Sequence, residues 1–127
     1  MNDLFYFSSE LITLMDLNNL LSDSDSYVTF LTPKEDCLQI SSKSGDIVWQ
    51  IFKMDISSDF HDSPNINVIQ EAGARVCFCI SHHSWTLVQL SAVLKIFLKK
   101  YGGWIGNDTD DFAPQFTLAN IDSLCYK

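Results

Sequence analysis

"TLVQLSAVLKIFLKKYGG", residues 86–103, is the most strongly patterned stretch of the chain, and the rest of the fold follows outward from it. Leu87, Leu90, Leu94, Phe97, Leu98 and Tyr101 recur at helical spacing and define one apolar side. Thr86 and Gln89 have the spacing of a capping box, and Gly102 stands where a left-handed residue ends a helix. Lys95, Lys99 and Lys100 gather toward the C-terminal end, where the helix dipole favours positive charge. A helix with a single apolar side has to bury it, so a sheet is expected beneath.

Upstream, five short runs read as strands: "YVTFL" (27–31), "CLQISS" (37–42), "DIVWQIFKM" (46–54), "NVIQ" (67–70) and "ARVCFCISH" (74–82). The breaks "TPKED", "KSGD", "SSDFHDSPN" and "EAGA" are rich in Gly, Pro, Asp and Ser, the chemistry of turns. Breaks this short suit antiparallel neighbours, because parallel strands need crossovers of a dozen residues or more. Ahead of the strands, Leu11, Leu14, Met15, Leu17 and Leu21 fit a helical stripe with Ser8 or Ser9 as its cap, and "NNLLSDSDS" ends it. After residue 103 a loop containing Pro114 leads to a last helical turn in "TLANIDSL". The pattern predicts one α+β domain over residues 1–127. It holds an antiparallel sheet of four to five strands, with an N-terminal helix and a long C-terminal-half helix packed on it.

With 127 residues, 46% of them hydrophobic, the chain is long enough to bury a core without disulfides. Sixteen acidic against eight basic residues give a net charge of −8, and Arg75 is the single arginine. That balance argues against a nucleic-acid partner, whose phosphates need clustered cations, and favours a basic protein partner. Cys37, Cys77, Cys79 and Cys125 lack the paired spacing of a zinc site or a disulfide framework and read as reduced, buried thiols. The first twenty residues carry Asp3, Glu10 and Asp16 and no basic region or small-residue cleavage site. No apolar run approaches the ~20 residues of a membrane span. No membrane association and a cytoplasmic location are therefore expected.

Three stretches invite chemistry. His82, His83 and Ser84 lie between a strand and a helix, where a small enzyme would place a nucleophile and its base. Adjacent residues on an extended chain point to opposite sides, however, and no third group is evident. "GGWIG" (102–106) follows a helix end rather than opening a helix, which is the wrong order for a phosphate loop. "NDTDD" (107–111) suggests a divalent-metal loop but lacks the glycine and the closing glutamate of an EF-hand. No cofactor and no metal are expected, which leaves docking. Trp104 with Asp108, Asp110 and Asp111, and Asp122 beyond them, forms one candidate surface. Asp59, Phe60, His61 and Asp62 form a second, and Glu35 with Asp36 a third.

The small size, the acidity and "LKKYGGWIGNDTDDFAPQFTLANID" (98–122) after a sheet resemble the small single-domain immunity proteins of bacterial toxin systems, in particular those of contact-dependent growth inhibition. The resemblance covers about the last third of the chain. It implies a non-enzymatic protein of the producing cell's cytoplasm that binds the toxin domain of its cognate effector as a monomer in a 1:1 complex. Many such toxins are nucleases with basic clefts, with ribonuclease the first choice and deoxyribonuclease the second. Acidic side chains could then take the places of substrate phosphates.

Overall fold

The structure, a computed structural model, describes residues 2–126, with side chains through Leu124. Cys125, expected as a buried thiol, lies outside the described side chains. The fold is α+β. Its strands are β1 (Asn2–Ser8), β2 (Tyr27–Leu31), β3 (Cys37–Ser42), β4 (Val48–Met54), β5 (Val76–His82) and β6 (Trp104–Asn107). The helices are α1 (Leu14–Ser22), α2 (Ile56–Asp59), α3 (Ile66–Glu71) and α4 (Leu87–Tyr101). Short 3₁₀ turns occupy Ser84–Thr86, Asp110–Phe112 and Ile121–Tyr126. No helix among the described residues is long and apolar enough to cross a membrane.

All six strands form one antiparallel sheet in the order β2-β3-β4-β5-β1-β6, one strand more than the upper expectation. β1 and β6 are the additions, and "NVIQ" is the one expected strand that is helical, inside α3. β1 is buried from Leu4 to Ser8, so both of its faces are covered and the polar–apolar alternation of a one-sided strand is missing. Ser8 ends β1 and does not cap a helix. Thr13 caps α1 instead, its hydroxyl accepting from the Asp16 N–H at 3.2 Å while the Asp16 carboxylate accepts from the Thr13 N–H at 2.8 Å.

On one face of the sheet, Leu4, Tyr6, Ile40, Trp49, Phe78 and Ile80 meet the apolar sides of α1 and α4 in the larger core. Leu90, Val93, Leu94 and Phe97 of α4 are buried there, close to the expected stripe. Two side chains of β1 tie down the end of α4. The Tyr6 hydroxyl donates to the Gly102 carbonyl at 2.8 Å and the Ser8 hydroxyl to the Tyr101 carbonyl at 3.2 Å, satisfying groups a helix end leaves open. At the other end the expected capping box is absent. Thr86 accepts from the Trp49 indole N–H at 3.1 Å and donates to the His83 carbonyl at 2.6 Å, so its hydroxyl serves the core rather than the helix.

The opposite face carries a smaller, aromatic core in which Phe5, Phe7 and Cys77 of the sheet meet Phe60, Ile69 and Phe112. Phe112 holds φ +58, an unusual conformation for a bulky residue, and its ring is 1% exposed against Phe5, Phe7, Phe60 and Trp104. Each such ring pair contributes about 0.5–1.5 kcal/mol beyond the area it buries, which offsets the backbone cost. This second layer stops short of the outer strands. Over β2, β3 and the start of β4 the same face is open, with Val28 52% and Phe30 60% exposed, whereas Met54 at the end of β4 packs against the smaller core.

Candidate functional site

The segment after β6 turns back over the aromatic core through the 3₁₀ turn at Asp110–Phe112 and meets the loop between α2 and α3. Asn65 makes the junction. Its amide nitrogen donates to the Thr109 carbonyl at 3.0 Å, and its amide oxygen accepts from the Asp111 N–H at 2.9 Å. Two of the acidic stretches picked out in the sequence are thereby joined, and Asp59, Asp62, Asp108, Asp110 and Asp111 are all exposed along one ridge. Asp62 lies 3.8 Å from the His61 ring, and no lysine or arginine among the described residues pairs with any of the five.

The aromatic residues assigned to these two surfaces face inward. Phe60 is buried, a member of the smaller core, because its ring packs edge-on to Phe5 and Phe112 at 5.9 and 5.8 Å. Trp104 is half-buried, stacked on Phe7 with ring centroids 4.3 Å apart. His61 is exposed. Asp122 is remote from the ridge, in the turn under α4, where Lys95 binds it at 2.6 Å. Glu35 and Asp36 sit apart at the β2–β3 hairpin, with Asp36 accepting from the Thr32 hydroxyl at 2.6 Å. They line a cleft of about 680 Å³ shared with Lys53, Asp55 and Arg75.

His82 and His83 do not converge. His82 is 1% exposed, with Nδ1 3.2 Å from the His83 carbonyl, whereas His83 is exposed and stacks on Trp85. Among the described residues no group of three or more His, Cys, Asp or Glu side chains is arranged to hold a metal ion, the 107–111 loop included.

Cys77 is buried, and Cys37 and Cys79 are half-buried, all three as free thiols. Burial, and then the carboxylates of Asp3 and Asp108, push the Cys79 thiol up to about 12, and burial pushes Cys77 higher still. Unfolded thiols ionise near 9, so above that pH the folded protein holds protons that the unfolded chain has lost. The stabilisation is complete below pH 9 and is lost as pH rises from 9 toward 12. The urea midpoint is accordingly expected to fall between about pH 8 and about pH 10.5, and the fall should shrink in Cys79→Ala. An equal fall in that variant would mean the thiol is not responsible.

A feature that the local pattern does not reveal is the open half of the sheet. In register, Val28, Ser41 and Val48 form one row and Phe30, Gln39, Gln50, Ser81 and Asp3 the next. Val48 is 37% exposed, and Trp85, at 64%, rises beside it from the turn ahead of α4. Strand residues of this kind are normally covered, and an apolar centre within polar surroundings has the make-up of a contact surface. Comparison with protein-family models, curated proteins and solved structures finds no match to this chain.

Proposed function

We propose that the protein is an immunity protein of the contact-dependent growth inhibition type, a non-enzymatic inhibitor that binds and neutralises a cognate bacterial toxin domain. The toxin is a nuclease, a ribonuclease in the favoured reading, whose basic substrate cleft is blocked in the cytoplasm of the producing cell by an acidic interface in a 1:1 complex. The observation that supports this most is the joining of two acidic loops by Asn65, which brings together exposed carboxylates that no lysine or arginine among the described residues pairs with. Carboxylates in that arrangement are free to meet arginine and lysine side chains that would otherwise hold phosphates. The resemblance noted in residues 98–122 supports it independently.

Neutralising a toxin inside a cell demands tight binding. A nanomolar Kd corresponds to about −12 kcal/mol and an interface near 1,600 Å² in total. The ridge and the adjoining open sheet face together offer charge for encounter and apolar surface for retention. The test is to co-express the chain with the protein encoded immediately upstream. The two are expected to co-purify, and the chain to relieve the neighbour's toxicity. A neighbour that is harmless when expressed alone, or that forms no complex, would refute the proposal.

A further inference from the structure

We propose that the hollow beside Trp85 is the receptor for one arginine side chain of the partner. This rests on the partner being the basic toxin domain just described and names a contact on it. The hollow, about 270 Å³, is lined by Asp46, Val48, Gln50, His83, Trp85 and Thr86. Trp85 is 64% exposed and belongs to neither core, in contrast to Trp49 at 1% and Trp104 stacked on Phe7. The His83 ring stacks against it at 6.2 Å and 17° between planes. Its place is fixed from below, because the next residue, Thr86, is held by both the Trp49 indole and the His83 carbonyl.

The remaining walls supply what a guanidinium needs. Asp46 is exposed and forms no ion pair among the described residues, although Lys43 shares its turn. Gln50 is half-buried, and its amide makes no hydrogen bond among the described residues. Val48 offers apolar surface for the alkyl stem. A planar cation stacks on an indole and forks toward a carboxylate and an amide oxygen at once, whereas a lysine ammonium has no plane to stack. A second copy of this chain is a poor donor, since it carries a net charge of −8 and a single arginine. A partially open, preformed hollow with a tryptophan on its wall also has the character of an interface anchor, where a few residues carry most of the affinity.

The experiment is a titration of the toxin domain into the full chain and its variants. Trp85→Ala is expected to raise Kd by about 30-fold and Asp46→Asn by about 5-fold, with unchanged melting midpoints because both side chains are exposed. Binding should blue-shift the emission of the wild type, and that shift should vanish in Trp85→Phe. One Arg→Lys substitution in the toxin domain should reproduce most of the Trp85→Ala loss and add little in that background. If Trp85→Ala and Asp46→Asn bind as tightly as the wild type, the receptor is wrong while the inhibitor reading stands. If no toxin arginine is coupled to Trp85, the arginine assignment is wrong. If the wild type itself forms no complex, both proposals fall together.

Discussion

Gly103→Ala is expected to cost about 4 kcal/mol of folding stability, and Gly102→Ala, one residue earlier, about 2 kcal/mol, because φ +67° with ψ −155° is backbone that only glycine adopts readily. Both glycines have positive φ, +67° at Gly102 and +92° at Gly103, so each substitution carries the conformational penalty of an L residue there. The difference lies in what a methyl group would meet. At Gly102 nothing lies within 4 Å, whereas at Gly103 an added Cβ would stand 2.0 Å from the Phe7 carbonyl oxygen and 3.2 Å from the Ser8 Cα. Those are backbone atoms of β1, which has no rotamer to change. Relief requires β6 to lift away from β1, and β6 is held from its other side by the Ile105–Phe116 bridge. Lifting β6 also takes Trp104 off Phe7. Urea melts of the two variants give the comparison in free energy, and thermal melts should show a loss of roughly 15 °C in melting midpoint for Gly103→Ala. Equal losses at the two positions would show that the strand approach is not limiting. Gly106→Ala falls between them, since its Cβ would meet the Phe112 Cβ at 2.7 Å, a side chain but a tightly packed one.

The same glycines show why β6 is hard to read in the sequence. Glycine on both sides of Trp104 and Ile105 has the signature of a loop, yet here it marks a strand pressed against its neighbour. β1 is obscure for another reason: burial on both faces removes the period of two, and Ser8 and Ser9 imitate a helix cap. By contrast β2, β3 and α4 follow their patterns to within a residue, because each has the periodicity its environment imposes. "NVIQ" shows β-branched residues giving way to tertiary context, with Ile69 of α3 anchoring a short helix on the sheet.

The candidate site is divided in the same way. Exposed aspartates in turn-rich stretches are legible one by one, but their union depends on Asn65, 44 residues before Thr109 and 46 before Asp111. No local pattern encodes that. Nor does a polar neighbourhood reveal which way a ring points, so Phe60 looks superficial in the sequence and is buried. Trp85 is the converse, an aromatic that composition would assign to the core and that stands in solvent.

Replacing Asp62, Asp108 and Asp110 together with lysine is expected to weaken toxin binding by about 100-fold or more at low salt, the second large effect. The three side chains are exposed and their carboxylates accept no hydrogen bond among the described residues, so stability should change by less than about 1 kcal/mol. Asp59 and Asp111 are left in place because they have structural work. The Asp59 carboxylate accepts from the Asp55 N–H at 2.7 Å, and Asp111 holds φ +57° where its N–H meets Asn65. Each reversal changes the charge by two, which takes the chain from −8 to −2 and turns attraction for a basic cleft into local repulsion. The loss should appear mainly as slower association and a flatter salt dependence if the ridge only guides encounter. It should appear mainly as faster dissociation if the carboxylates sit in the cleft itself. The rate constants therefore separate an inhibitor that plugs the substrate site from one held chiefly through the open sheet face and Trp85. Unchanged rates and salt dependence would remove the ridge from the interface and leave that face as the surface to probe.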